Sequence, residues 1–274
     1  MAQTEGFLSR EKLRDIRSLD SVKIRRRKGL CMVEGERSLR EAHRTGNLLY
    51  LVVSEDRTVD GRLPLPEEFS SAVVPCYTLA SAHFRELTEV KAGTGILGVA
   101  RIPPQGDLDE LEGFTGRSTL FFLDGLQEPG NVGALIRTAW ALGFSGVLMG
   151  DGTADPFSAK GVRASAGGVF HLPLFGGVGG GIGAREMEGL TRVGYSLFAA
   201  DREGQDYRSI AYAERSILAL GNEGSGFSEW VLHTGQVVGI PLAQGVDSLN
   251  VVVAGGIIAA QMAAMAGRGE GETR

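Results

Sequence analysis

The sequence predicts an α/β chain in two parts, a small α/β domain followed by a larger one built on a doubly wound parallel sheet. Three observations predict it. Short apolar runs alternate with helix-length stretches along the chain. In the second half the strand candidates are near-continuously apolar, as in Thr119-Leu120-Phe121-Phe122-Leu123, which suits strands covered on both faces. Between the halves, residues 101–117 carry Pro103, Pro104, four acidic residues, Gly113 and Gly116, the composition of a linker. The 274 residues, 43% hydrophobic and 22% charged, are enough for one large or two modest cores and exclude a disordered chain.

Taken in order, residues 10–28 contain no Gly or Pro and read as one helix with a basic surface. The apolar run Leu30-Cys31-Met32-Val33 follows, then a helix from Glu36 to Arg44. Strands are expected at Leu48–Val53, Val73–Tyr77 and Ile96–Ala100, with a helix at Ser81–Leu87. In the second half, strands are expected at 118–123, 145–149, 195–199, 216–220 and 236–240, and helices at 132–142, 158–166, 185–193 and 249–265. The boundaries are therefore a domain at 1–100, a linker at 101–117, a second domain at 118–268 and a tail at 269–274. The glycine run at 176–183 lacks the Lys and Ser/Thr of a phosphate cradle and reads as a flexible surface loop.

Several function classes fall on composition and spacing. Cys31 and Cys76 form no CxxC, and the four histidines are scattered, so no metal site is expected. Two reduced thiols and the lack of an apolar leader in the first 30 residues point to a cytoplasmic protein. Leu249 to Gly267 is uncharged, but its alanines, glycines, Asn250 and Gln261 mark a buried core helix rather than a membrane span. GxGxxG, GxxxxGK[ST] and GxSxG are all absent, which disfavours a dehydrogenase, a P-loop enzyme and a serine hydrolase.

Ligands of open α/β sheets bind at the carboxyl ends of strands. Three predicted strands there open into loops rich in Gly, Asn and Ser: 124–133, 221–226 and 241–250. Each alone could be a turn or a helix cap, with Asn131, Ser248 and Asn250 as caps and Arg137 as a surface residue. Three such loops on one sheet edge favour a binding site.

Their residues carry a resemblance. Pro129-Gly130-Asn131-Val132-Gly133 with Arg137, Leu218-Ala219-Leu220-Gly221-Asn222-Glu223-Gly224-Ser225-Gly226, and Ile240-Pro241 with Ser248-Leu249-Asn250-Val251 resemble, in order and spacing, the three motifs of the SpoU (TrmH) branch of the SPOUT RNA methyltransferases. Glu34-Gly35-Glu36-Arg37 and Gly95–Ala100 resemble, more loosely, the ribosomal-protein-like substrate-binding domain fused to many members. The resemblance implies a C-terminal domain with a deep trefoil knot, a homodimer through that domain, and S-adenosylmethionine as methyl donor. It implies transfer to a ribose 2′-OH, most often in large-subunit ribosomal RNA. A tRNA 2′-O-methyltransferase and a non-catalytic RNA-binding homologue are the alternatives.

The resemblance assigns catalysis to Arg137, Asn131, Glu223, Ser248 and Asn250, and the donor to Leu220, Gly221, Asn222, Gly224, Ile240, Pro241, Gly245, Leu249 and Asn250. Arg137 acts either as the base for the 2′-OH or, since a charged guanidinium has no acceptor lone pair, by gripping the RNA phosphate and polarising the hydroxyl. Arg25, Arg26, Arg27, Lys28, Arg37, Lys160 and Arg163 are the expected RNA contacts. The net charge of −5 does not oppose this, because residues 10–28 sum to +6 and the rest of the chain to −11.

Overall fold

A computed structural model describes residues 5–57, 69, 74–88, 95–113, 116–177 and 180–267. They divide into two compact units, 1–104 with 155–171, and 105–154 with 172–274. The predicted tail at 269–274 lies outside the described residues, as does Val73.

In the first unit, helices α1 (Arg10–Ser18) and α2 (Val22–Lys28) precede strand β1 (Leu30–Glu34), α3 (Glu36–Arg44), β2 (Leu48–Ser54), β3 (Cys76–Leu79), α4 (Ser81–Leu87) and β4 (Ile96–Arg101). The sheet order is β1-β4-β2-β3, with β4 antiparallel to β1 and β2, and β3 parallel to β2. Ile16, Leu19, Val52, Phe84, Leu97 and Val99 share one core. Both cysteines are free and buried. Burial pushes the Cys76 thiol up to about 11 and the Cys31 thiol further, so neither is a nucleophile at neutral pH.

Two expectations change here. Residues 10–28 form two helices, not one, although no Gly or Pro stands between them. The break is held by Arg25, whose Nη1 donates to the carbonyls of Leu19 (2.5 Å) and Asp20 (2.9 Å), which a continuous helix would have used internally. The strand expected at Val73–Tyr77 is shifted to Cys76–Leu79.

Residues 155–171 join this unit through charge pairs. Arg25 Nη2 meets Asp155 Oδ2 at 2.6 Å, Arg163 meets Glu34 at 2.6 Å, and His171 Nε2 lies 3.0 Å from Glu41 Oε2. Gly167 sits at φ +88°, and a Cβ there would stand 2.6 Å from that of Glu41. A buried pair this close costs several kcal/mol to break from one side, because the other charge is left desolvated.

The second unit holds α5 (Leu108–Gly113), β5 (Ser118–Asp124), α6 (Pro129–Ala141) and β6 (Gly146–Met149). The chain then supplies α7 (Ala159–Ala164) to the first unit before returning with β7 (Leu174–Phe175) and α8 (Ala184–Arg192). It ends on β8 (Ser196–Asp206), β9 (Arg215–Gly221), α9 (Glu229–Thr234), β10 (Gln236–Gly239) and α10 (Val251–Gly267). All pairings in the six-stranded sheet β10-β8-β9-β5-β6-β7 are parallel. Leu120–Leu123 and Ile217–Leu220 are buried on both faces, as their continuous apolar runs predict. No helix among the described residues is long and apolar enough to cross a membrane.

The stretch expected to be a linker contains α5, started by Asp107 accepting the Asp109 N–H (3.1 Å) and anchored by buried Leu111. The described part of the glycine run is packed rather than free. Gly181 donates to Asp151 Oδ1 (2.8 Å), buried Ile182 to the Met149 carbonyl (2.8 Å), and a Cβ at Gly181 would lie 2.3 Å from the Asp151 nitrogen.

One close approach shapes the edge of the second sheet. β8 pairs with β10 through Ala199↔Val237, then resumes at Gln205↔Val238, so residues 200–204 loop out between consecutive partners. A Cβ on Gly204 would stand 2.4 Å from the Val238 carbonyl carbon. A Cβ on Gly239 would meet the carbonyl oxygens of Gly204, Asp201 and Arg202 at 2.8, 2.9 and 3.2 Å. Backbone cannot swing aside as a side-chain tip can, so Gly239→Ala should destabilise the protein by about 2 kcal/mol or more. Thermal unfolding checks this, with Gly113→Ala, whose added methyl meets nothing within 4 Å, as the tolerated control.

Candidate active site

The bulge of β8 and the carboxyl ends of β9 and β10 surround a cavity of ≈ 590 Å³. That volume lies within the usual small-molecule range of roughly 300–1,000 Å³. Its walls combine the bulged middle of β8 (Ala200, Asp201, Arg202), the loop after β9 (Gly221 to Gly224, Gly226), the segment after β10 (Ile240, Leu242, Asp247 to Leu249) and one side of α10 (Val251, Ala254, Ile258).

The β9 loop is fixed at both ends. Asn222 and Gly226 exchange both backbone hydrogen bonds at 2.9 Å, with Gly226 in the left-handed region at φ +71°. The Asn222 Oδ1 accepts from the amides of Gly224 (2.8 Å) and Ser225 (2.9 Å), and its Nδ2 donates to the Gly125 carbonyl (2.8 Å). At the far end, buried Asp124 accepts from the Ser228 amide (2.6 Å) and hydroxyl (2.9 Å). A loop anchored this way presents main-chain groups to the cavity without having to order on binding.

Asn131 is not a helix cap. Glu128 caps α6 by accepting from the Gly130 amide (2.8 Å), which leaves Asn131 to donate through Nδ2 to Glu223 Oε1 at 2.5 Å. The first and second motifs thus meet through their side chains, and Glu223 lines the cavity together with Ser248. Arg137 is exposed on α6 and does not line this cavity. Six positions along a helix set it about 120° around the axis from Asn131.

Of the residues expected to hold a donor, Leu220, Gly221, Asn222, Gly224, Ile240 and Leu249 line the cavity. Pro241, Gly245 and Asn250 do not. Asn250 instead accepts the Val252 N–H at 2.9 Å and starts α10, so its side chain serves the helix. Asn222 lines the wall, but its amide is spent on the loop. The residues missed are chiefly Ala200 to Arg202, Asp247 and the inner side of α10. The first group stands directly at the carboxyl end of the predicted strand 195–199, and the spacing of Val251, Ala254 and Ile258 marks one helix face, so both carried a signal.

The expected RNA contacts separate in the same way. Arg25 is corrected to a structural residue, since it is 4% exposed and spent on Asp155 and two carbonyls. Lys28 pairs with Asp15 (2.8 Å) and Arg163 with Glu34. Arg26, Arg27, Arg37 and Lys160 are exposed. Among the described residues, no group of three or more His, Cys, Asp or Glu could hold a metal ion.

Residues 118–260 match the model of the SpoU rRNA methylase family. The chain is 32% identical over 250 residues to the 23S rRNA (guanosine(2553)-2′-O)-methyltransferase RlmP of Bacillus subtilis, covering 90% of this chain and 94% of that one. It is similar to the SpoU methyltransferase AviRb from Streptomyces viridochromogenes in complex with AdoMet (TM-score 0.80, 25% identity, 94% and 98% covered). It is also similar to the AdoMet-bound rRNA methyltransferase from Sinorhizobium meliloti (TM-score 0.76, 26% identity, 95% and 97% covered). With its second and third motif loops lining one cavity, and residues 118–260 matched by the family model, the chain belongs to the SpoU rRNA methylase family.

Proposed function

We propose that this protein transfers a methyl group from S-adenosylmethionine to a ribose 2′-OH of large-subunit ribosomal RNA. The observation that carries the proposal is the glycine-walled cavity with the Asn131–Glu223 pair beside it. The length over which the chain matches the Bacillus enzyme, first unit included, favours ribosomal RNA over tRNA as substrate.

The cavity suits the donor by its chemistry. Leu220, Ile240 and Leu249 offer apolar walls for an adenosine, and Gly221 and Gly224 allow main-chain groups to reach its polar edge. When bound, S-adenosylmethionine supplies a methyl group on a positively charged sulfur, already an electrophile. What remains for the chain is to align the acceptor oxygen and manage its proton. Glu223 orients Asn131, Ser248 offers a hydroxyl at the cavity wall, and Arg137 grips phosphate and polarises the 2′-OH. Only RNA offers that hydroxyl.

The proposal includes a deep trefoil knot, supported by the carbonyls of Asp201, Arg202 and Gly204 around Gly239. It includes a homodimer through the second unit. Val253, 49% exposed, shares a stripe on α10 with Gly256, Ala260 and Ala264, an apolar face suited to a second copy. Arg137 lies off the cavity of its own chain, so it acts on the partner's acceptor. The first unit, a ribosomal-protein-like domain, binds RNA through exposed Arg26, Arg27 and Arg37, and the site of action is the cytoplasm.

Labelled donor incubated with ribosomal RNA and tRNA, followed by mapping of the modified nucleotide, tests the activity; label confined to tRNA would overturn the rRNA assignment. Arg137→Ala should lower turnover at least about a hundredfold while leaving donor affinity nearly unchanged. Co-expression of Arg137→Ala with Glu223→Ala should restore part of the activity, since one mixed site keeps both groups. No recovery in a verified mixed dimer would place Arg137 in its own chain's site. Replacing Arg26 and Arg27 together by Ala should flatten the slope of log affinity against log salt by roughly 1.5–2; an unchanged slope would remove α2 from the interface.

A further inference from the structure

Within the cavity, charge is unevenly placed. Among the described residues its lining holds three carboxylates, Asp201, Glu223 and Asp247, and a single cation, Arg202. Arg202 stands on the stretch that loops out between β8 and β10, a stretch whose backbone is held rigidly. Its carbonyl and those of Asp201 and Gly204 are pressed on Gly239, and Asp201 Oδ1 accepts the Glu203 N–H at 3.0 Å. The side chain itself is lightly engaged. Its 3.0 Å pair with Glu203 leaves both side chains more than half exposed (59% and 78%), a pairing that water and salt weaken. A fixed backbone under a loosely held guanidinium is suited to capturing an anion that enters the cavity.

The donor has two unlike ends, an adenosine and a zwitterionic amino acid. The apolar walls account for the first and leave the second without an assigned partner. A guanidinium matches a carboxylate by two parallel N–H···O bonds. We propose that Arg202 binds the α-carboxylate of the donor's methionine portion and so selects the intact donor over compounds lacking the amino acid. This rests on the assignment of the cavity to S-adenosylmethionine.

The test is calorimetric binding of two thioethers to the full-length protein. S-adenosylhomocysteine carries the amino-acid portion, and 5′-methylthioadenosine shares the adenosine and sulfur but lacks it. Arg202→Ala should weaken S-adenosylhomocysteine about tenfold or more, leave 5′-methylthioadenosine unchanged, and be partly rescued by Arg202→Lys. Equal loss of both compounds would mean a merely structural role and overturn the proposal. So would unchanged S-adenosylhomocysteine affinity with weakened RNA binding, which would give the guanidinium to phosphate. If the unaltered protein bound neither compound, the donor assignment itself would fall, and the pairing with it.

Discussion

The contact on which the second unit depends is one between two stretches of bare backbone. Residues 200–204 bulge out of the β8–β10 pairing, and Asp201, Arg202 and Gly204 lie against Val238 and Gly239 with no room for a side chain on Gly204 or Gly239. That approach sets the distance between the bulge of β8 and the start of the 240–249 segment, which are both parts of the cavity wall. Two glycines here give up conformational entropy in exchange for a fixed separation. The anchors at Asn222 and Asp124 then bring the third part of the wall, the β9 loop, to the same place. Donor binding by main-chain groups requires such fixing, because a peptide group cannot adjust its reach by changing rotamer as a side chain can.

How much of this was legible in the sequence depends on how local each cause is. The apolar runs Leu120–Leu123 and Ile217–Leu220 announce central parallel strands because both faces must be covered, and no distant residue alters that. The helices Glu36–Arg44 and Ser81–Leu87 are likewise placed by their own patterns. The break between α1 and α2 was not legible. It rests on Arg25 reaching back to two carbonyls while paired with Asp155, a partner 130 positions away. Packing of the glycine run against Met149 and Asp151 is hidden for the same reason, since glycine spacing alone cannot distinguish a free loop from a close fit.

At the site the same division recurs. The motif loops could be found because their residue types are special, and Leu220, Gly221, Gly224, Ile240 and Leu249 do reach the cavity. Which polar side chains remain available could not be found in that way. Asn222 and Asn250 have the residue type of ligand-binding groups, yet one holds its loop together and the other starts a helix. Arg25 has the residue type of a phosphate contact and is buried with a carboxylate. In each case nearby backbone groups or charges claim the side chain first; for buried Arg25 a charge without a partner would cost more than a solvated ligand contact returns.

These claims also divide labour between the two substrates of the proposed reaction. Donor-facing positions are mostly glycines and aliphatic side chains on anchored backbone, which suits a molecule presented the same way in every turnover. On the acceptor side Asn131 is held by Glu223, whereas Arg137 is exposed. RNA must enter, be methylated and leave, which an exposed group can accommodate. In the proposed homodimer, an arginine kept out of its own cavity and acting on the partner's acceptor meets that condition. That arrangement would make the chemistry conditional on assembly, since a lone subunit could hold the donor but could not polarise the hydroxyl that receives the methyl group.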